Sequence, residues 1–387
     1  MVVLNHGVDL GGAEIVLLNT LEHLDNTKFY PILVVPQPGP LMERAQNLGI
    51  ECQVVGLSER TLRLERTRIR PNILSGLLVL PFMWRLANYL KSVCPDIIYT
   101  NSTKAHIYGS VVAGWLHIPL IWRLNDVVDA SGFHKLVRLF IYFFAKYFPQ
   151  KILCVSRAVK EPLKKVGVSH EKLHTLYYGL DEVLLKPRSG RNKKGDGSVV
   201  IGNIGRLTPL KGQDIFIRAA VALLRRYPHL RFLIVGDSYY DRSDFEKQLK
   251  FLVKQSGVEE HVVFTGFVDD IPGFLEDIDI LVNTSVRPDA FGMSVLEGMA
   301  AGKAVVATDY VGAKEIIESG KNGFILPSND VSALVDVLQM LIEKPAKIKS
   351  LGREARRTVV RDFTLEKYID QLEEFLIEVV SSRTRPV

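Results

Sequence analysis

The feature that most constrains this chain is a rhythm, repeated in two series. Short apolar runs of strand length alternate with segments whose apolar residues recur at helical spacing. Residues 2–5, 30–35, 51–55, 96–100 and 120–124 read as strands, and residues 13–24, 81–93 and 104–116 read as the helices between them. That alternation argues for a parallel sheet covered by helices on both faces. A second series follows at 199–203, 232–235, 262–265, 278–283, 304–307 and 323–326. The expected fold class is therefore α/β, with two doubly wound, Rossmann-like domains. A chain of 387 residues is long enough for both, and an apolar fraction of 47% supplies a core for each.

Breakers and charges set the boundaries. Residues 186–198 (Lys-Pro-Arg-Ser-Gly-Arg-Asn-Lys-Lys-Gly-Asp-Gly-Ser) form a polar, basic stretch expected to be a linker. It separates an N-terminal domain, 1–185, from a C-terminal one, 199–360. The chain reads as helical from about residue 346 to 380, and the terminal part, 361–387, is expected to pack back on the first domain. The three cysteines, Cys52, Cys94 and Cys154, lack the spacing of a disulfide framework or a zinc site and read as buried thiols. No signal peptide or apolar stretch of about 20 residues is apparent, so a cytoplasmic location is expected. The net charge of +6 suits anionic partners, whether a phosphorylated substrate, acidic headgroups or nucleic acid.

Two segments carry chemistry. Gly205-Arg206-Leu-Thr-Pro-Leu-Lys211-Gly212 places two cations in a loop between a strand and a helix start. Arginine can fork two phosphate oxygens, lysine adds a point charge, and the helix start adds free N–H groups. Two surface cations at a turn would look the same. The second segment runs from Arg287 through Asp289, Phe291, Gly292, Met293, Ser294 and Glu297 to Gly302. It sets one carboxylate before a helix and another within it, and carboxylates accept hydrogen bonds from sugar and ribose hydroxyls. An ordinary helix with an acidic cap is the other reading.

Together these segments resemble the retaining GT-B glycosyltransferases of the GT4 (group 1) family. Further matches are Gly11-Gly12-Ala13-Glu14, Val155-Ser156-Arg157, Gly179-Leu180-Asp181, Ile234-Val235-Gly236-Asp237 and Phe264-Thr265-Gly266-Phe267-Val268, in the same order over almost the whole chain. The resemblance implies two Rossmann-like domains facing across a cleft, and transfer of a hexose-type sugar from a nucleotide diphosphate to an acceptor hydroxyl. It implies retention of configuration, no metal and no separate cofactor, with UDP ahead of GDP by family frequency. Arg206 and Lys211 would hold the diphosphate, and Glu297 the ribose. Asp289 and the backbone of Phe291, Gly292, Met293 and Ser294 would hold the sugar. Val268 would contact the base through its backbone, and Gly12 would let a loop approach the phosphates. Two positions depart from the family pattern. Asp289 replaces a longer glutamate, and Asn125 stands where many relatives carry a histidine beside the reacting sugar, with Asp126 as the nearest ionisable group. His106 and Asp126 are candidates for the acceptor site.

A glycan or lipid-linked acceptor is implied, in polysaccharide or glycolipid biosynthesis, and nucleic acid is not an implied partner. Residues 59–70 hold five arginines against two glutamates, and residues 133–148 interleave Lys135, Arg138 and Lys146 with aromatics. Such surfaces suit anionic headgroups, so peripheral association with the inner face of the plasma membrane is expected. A buried helix and a solvated arginine loop would read alike. The alternatives in function are a nucleotide-sugar epimerase of similar fold and a non-catalytic binder of nucleotide sugars.

Overall fold

The computed structural model describes residues 1–57, 79–129, 132–181, 199–238, 244–287, 289–309 and 312–382. The expected linker 186–198 and the arginine-rich stretch 59–70 lie outside these described residues. The chain divides into two compact units, Met1–Tyr177 with Tyr368–Val387, and Tyr178–Lys367.

Unit 1 is built on β1 (Val2–Leu4), β2 (Ile32–Val35), β3 (Glu51–Val54), β4 (Ile98–Thr100), β5 (Leu120–Leu124), β6 (Lys151–Cys154) and β7 (Leu173–Thr175). They form one parallel sheet in the order β3-β2-β1-β4-β5-β6-β7. Every residue of β1, β2, β4 and β5 is buried, which explains why these runs are apolar without alternation. The intervening helices are α1 (Gly12–His23), α2 (Pro40–Asn47), α3 (Leu80–Val93), α4 (Thr103–Leu116), α5 (Lys135–Tyr147) and α6 (Arg157–Lys165). Cys154 is buried, and burial pushes its thiol up to about 12. Cys52 is half-buried and Cys94 exposed, contrary to the expectation of three buried thiols. Cys94 caps α3 in the left-handed conformation, its N–H donating to the Leu90 carbonyl.

Unit 2 repeats the plan with β8 (Val200–Ile204), β9 (Arg231–Val235), β10 (Val262–Gly266), β11 (Ile280–Asn283), β12 (Ala304–Thr308) and β13 (Phe324–Leu326). The order is β10-β9-β8-β11-β12-β13, again all parallel. Helices α7 (Gln213–Leu224), α8 (Asp244–Gln255), α9 (Ile271–Asp277), α10 (Met293–Ala300), α11 (Val331–Glu343) and α12 (Pro345–Asp362) accompany it. Phe216 of α7 meets Phe232 of β9 edge to face at 5.6 Å in the middle of this core.

The C-terminal region is two helices, not the single one its periodicity suggests. Helix α12 stops at Asp362 and α13 (Leu365–Ser381) begins after a break. At the break the Leu180 N–H donates to the Phe363 carbonyl, and the Leu365 N–H donates to the Leu180 carbonyl, each at 2.9 Å. The approach is so close that a Cβ on Gly179 would lie 2.2 Å from the Thr364 carbonyl oxygen. A helix cannot continue while its backbone groups serve a distant segment. Beyond the break α13 packs within unit 1. The Tyr368 hydroxyl lies 3.2 Å from Thr20 Oγ1, and the Glu373 carboxylate accepts from the Asp25 N–H at 2.7 Å.

Candidate active site

In each sheet the strand order reverses at one point, between β1 and β4 in unit 1 and between β8 and β11 in unit 2. Loops leaving the carboxyl ends of two such strands diverge to opposite sides and leave a crevice, where open α/β sheets bind ligands.

In unit 2 the loop after β8 carries Arg206 and Lys211, and the loop after β11 carries Asp289. The Lys211 ammonium donates to Asp289 Oδ2, so the reversal point is bridged by an ion pair whose side chains remain 28% and 22% exposed. The backbones behind the pair are fixed. Buried Thr284 donates from Oγ1 to the Lys211 carbonyl at 2.9 Å, and Asn203 Nδ2 donates to the Val282 carbonyl at 2.9 Å. The Val286 N–H donates to the Leu210 carbonyl at 3.0 Å, and the Gly312 N–H to the Asp289 carbonyl at 2.9 Å. Gly212 ends the loop at φ 63°, where a Cβ would fall 2.2 Å from the Thr284 carbonyl oxygen, so no other residue fits. Buried Gln213 opens α7 and donates to the Arg206 carbonyl at 2.9 Å, which fixes the backbone while the Arg206 side chain stays exposed.

Phe291 is buried against Tyr178 at 5.7 Å between ring centroids, and Gly292, at φ 84°, turns the chain into α10. Met293 and Ser294, half-buried in the first turn, carry some of the N–H groups a helix start leaves unused, and Asn283 Nδ2 donates to Ser294 Oγ at 3.4 Å. Glu297 follows on the same helix. Burial pushes its carboxyl up to about 7. Half-buried Val268 follows exposed Phe267 after β10.

Unit 1 gathers amides at its reversal point. Asn125 Nδ2 donates to the Asn101 carbonyl at 2.9 Å and to Asn101 Oδ1 at 3.0 Å. Asn101 Nδ2 in turn donates to Asn5 Oδ1 at 3.3 Å, and Asn5 Nδ2 donates to the Gly7 carbonyl at 2.8 Å. Three asparagines from the ends of β1, β4 and β5 thus form one ladder, with Asn5 and Asn101 buried and Asn125 at its half-exposed end. Both donor bonds of Asn125 go inward, so its amide is held in one orientation. Asn5 and Asn101 carry no distinctive signal in the sequence, because isolated asparagines after strands look like turn residues. Asp126 is exposed beside Asn125. Gly12 opens α1, and a Cβ there would meet nothing within 4 Å, so the protein itself does not require a glycine at that position.

His106 lies elsewhere. Its ring is 1% exposed, stacked on Trp122 at 4.7 Å, with Nδ1 2.7 Å from Thr100 Oγ1. Burial lowers its pKa to about 3. This is a neutral core histidine in the first turn of α4, turned inward onto β4 and β5.

Two family models match the chain in tandem, Glycosyltransferase Family 4 over residues 10–183 and Glycosyl transferases group 1 over residues 188–358. The chain belongs to the GT4-like GT-B glycosyltransferases. Among curated relatives, the putative glycosyltransferase EpsD of Bacillus subtilis is 34% identical over 207 residues, 51% of this chain and 52% of that protein. A mannosyltransferase of lipopolysaccharide core biosynthesis, LpcC of Rhizobium leguminosarum, is 31% identical over 50% of this chain and 56% of its own length. The alignments to these two thus span about half of each. The UDP-Gal:alpha-D-GlcNAc-diphosphoundecaprenol alpha-1,3-galactosyltransferase of Escherichia coli is 22% identical over 97% of this chain and 95% of that protein. Among solved structures, Anabaena HepE in complex with UDP and glucose superposes with a TM-score of 0.83 at 24% identity, over 97% of this chain and 98% of HepE.

Proposed function

We propose that the protein transfers a hexose from a UDP-sugar to a hydroxyl of a lipid-linked or glycan acceptor, with retention of configuration and without a metal ion. The observation that carries this is the pair of cations on the short, pinned loop after β8, one of them joined to Asp289 across the reversal point of unit 2. HepE was solved with UDP and glucose, and the E. coli relative is named for a UDP-sugar and a diphosphoundecaprenol acceptor. Both support the same direction.

In this reading Arg206 and Lys211 receive the diphosphate, and Glu297 accepts from the ribose hydroxyls. Asp289 and the backbone of residues 291–294 hold the sugar, and the Val268 backbone meets the base. The bond from C1 to the phosphate oxygen breaks while the acceptor oxygen bonds to C1 on the same face. The acceptor proton passes to the departing phosphate. Negative charge grows on the phosphate as the bond breaks, and fixed cations stabilise that charge without reorganising. Lysine has three donors, so Lys211 can meet phosphate while still holding Asp289 in place for a sugar hydroxyl. In unit 1, Gly12 leaves room for a ligand at the start of α1, and Asn125 with Asp126 serves the reacting hydroxyls. A lipid-linked acceptor implies work at a membrane surface, the inner face of the plasma membrane being the expected one.

The test is incubation with a panel of nucleotide sugars and lipid-linked acceptors, with the anomeric configuration of the product read by NMR and a chelator in parallel. Retained configuration with undiminished turnover in chelator is expected. A new sugar nucleotide formed from donor alone would instead identify an isomerase, and binding without turnover across acceptors a sensor.

A further inference from the structure

Helix α5 carries large apolar residues on both of its faces. Ile141, Phe144 and Ala145 are buried in unit 1, as an ordinary amphipathic helix requires. Leu136, Leu139, Phe140, Phe143 and Tyr147 are exposed, by 69%, 54%, 52%, 53% and 61%. Their spacing follows one line along the helix, and Phe143 lies 5.1 Å from Tyr147 between ring centroids, so the stripe is continuous. At its end Phe148 stacks on Phe144 at 4.7 Å and lies against Gly114, the residue before exposed Trp115 of α4. Scattered exposed apolar residues need no explanation, but a stripe of this length marks an interaction surface.

Charge decides what meets it. Helix α5 contains Lys135, Arg138 and Lys146 and no acidic residue. Residues 135–172 hold nine lysines and arginines against two glutamates. Lys172 reaches back to donate to the Lys146 carbonyl at 2.8 Å, and a Cβ on Gly167, just past the end of α6, would stand 3.9 Å from Lys146 Nζ. Cations therefore gather at the C-terminal end of the stripe. A second copy of this face would bring like charge against like charge. An anionic bilayer satisfies both features, because the rings seat at the acyl boundary while long cationic side chains reach the phosphates.

We infer that α5 docks the protein on an anionic lipid bilayer through the stripe 136, 139, 140, 143 and 147, with Lys135 and Lys146 at its ends. The inference deepens the reading of a lipid-linked acceptor and rests on it for its purpose. The exposed stripe and its charge stand independently of the donor chemistry. The experiment is co-sedimentation of the full chain with vesicles of phosphatidylglycerol and phosphatidylcholine, and of phosphatidylcholine alone, at low and high salt. Binding to the anionic vesicles should be at least about tenfold stronger and weaken in salt. Phe140→Ser with Phe143→Ser should lose at least about tenfold in partitioning with unchanged circular dichroism. Lys135→Gln with Lys146→Gln, outside any packed surface, should flatten the salt dependence. Equal partitioning of wild type and both variants would overturn the inference, as would a wild-type dimer that the Phe140/Phe143 variant dissociates. UDP binding in solution, measured without vesicles, is expected to be the same in all three proteins. Vesicle binding without UDP binding would leave this surface standing and remove the proposed function.

Discussion

The two reversal points share a topology and differ in their chemistry. At the β8–β11 edge of unit 2 stand a lysine–aspartate pair, an exposed arginine and a carboxyl that burial biases toward its neutral form. At the β1–β4 edge of unit 1 stands a ladder of three amides. Fixed charge suits a group whose charge changes during reaction. Fixed amides suit hydroxyls, which they orient without competing for a proton. The unit 2 edge thus presents a paired lysine and aspartate, and the unit 1 edge a ladder of amides with Asp126 exposed beside it.

The largest effect is expected on removing charge from the unit 2 edge. Lys211→Ala is predicted to raise the barrier by about 2–4 kcal/mol, by analogy with a lost oxyanion donor. The melting temperature should barely move, because a partly exposed ion pair contributes only about 0–1 kcal/mol. Steady-state kinetics and a thermal melt read both quantities. Near-normal turnover at saturating donor would remove the assignment of Lys211.

Glu297 offers a pH test. Its folded pKa of about 7 exceeds the ordinary 4.5, so the folded state without ligand favours the protonated form. Its contribution to stability is complete below pH 4.5 and is lost as pH rises through 7. Ribose hydroxyls donate to the ionised carboxylate and favour that form. UDP affinity should therefore rise with pH, by about fivefold between pH 6 and 7, and level off above about pH 8. Calorimetry in buffers of different ionisation enthalpy should show proton release on binding. Glu297→Gln should bind UDP more weakly at pH 8 and show no such dependence. An unchanged pH profile in that variant would assign the titration to another group.

At the unit 1 edge the expected balance is reversed. Asn101→Ala leaves buried Asn5 Oδ1 without its donor and removes one of the two bonds that hold the Asn125 amide, so stability should fall by about 1–3 kcal/mol. Turnover should fall less than in Lys211→Ala, with KM for the acceptor rising. If Asn101→Ala proved catalytically worse than Lys211→Ala, the division between the edges would be wrong. The smallest effect is expected at Gly12→Ala. No protein atom stands in the way of the added methyl, so the melt should be unchanged and only donor use should decline, by several-fold.

The fold is most legible in the sequence where one segment's pattern suffices. Every strand named above is present, with ends shifted by no more than a residue or two, and in β1, β2, β4 and β5 burial on both faces leaves an apolar signature without alternation. The loop of Arg206 and Lys211 was legible because a strand end, two cations and a glycine fall within a few residues. Features that need a distant partner were not. The break at Phe363 depends on Leu180, the ladder joins residues 5, 101 and 125, and the Lys211–Asp289 pair spans 78 positions. His106 is a further case, because its place in the first turn of α4 says nothing by itself about which way the ring turns.

The proposed function stands on recognition of a nucleoside diphosphate by Arg206 and Lys211. It is tested most directly by titrating UDP and uridine into wild type and into the double variant Arg206→Ala/Lys211→Ala by calorimetry. In the wild type UDP should bind far more tightly than uridine, and most of that difference should vanish in the double variant while uridine affinity is retained. An equal preference for UDP in both proteins would contradict it, because the diphosphate would then be held by groups other than these two.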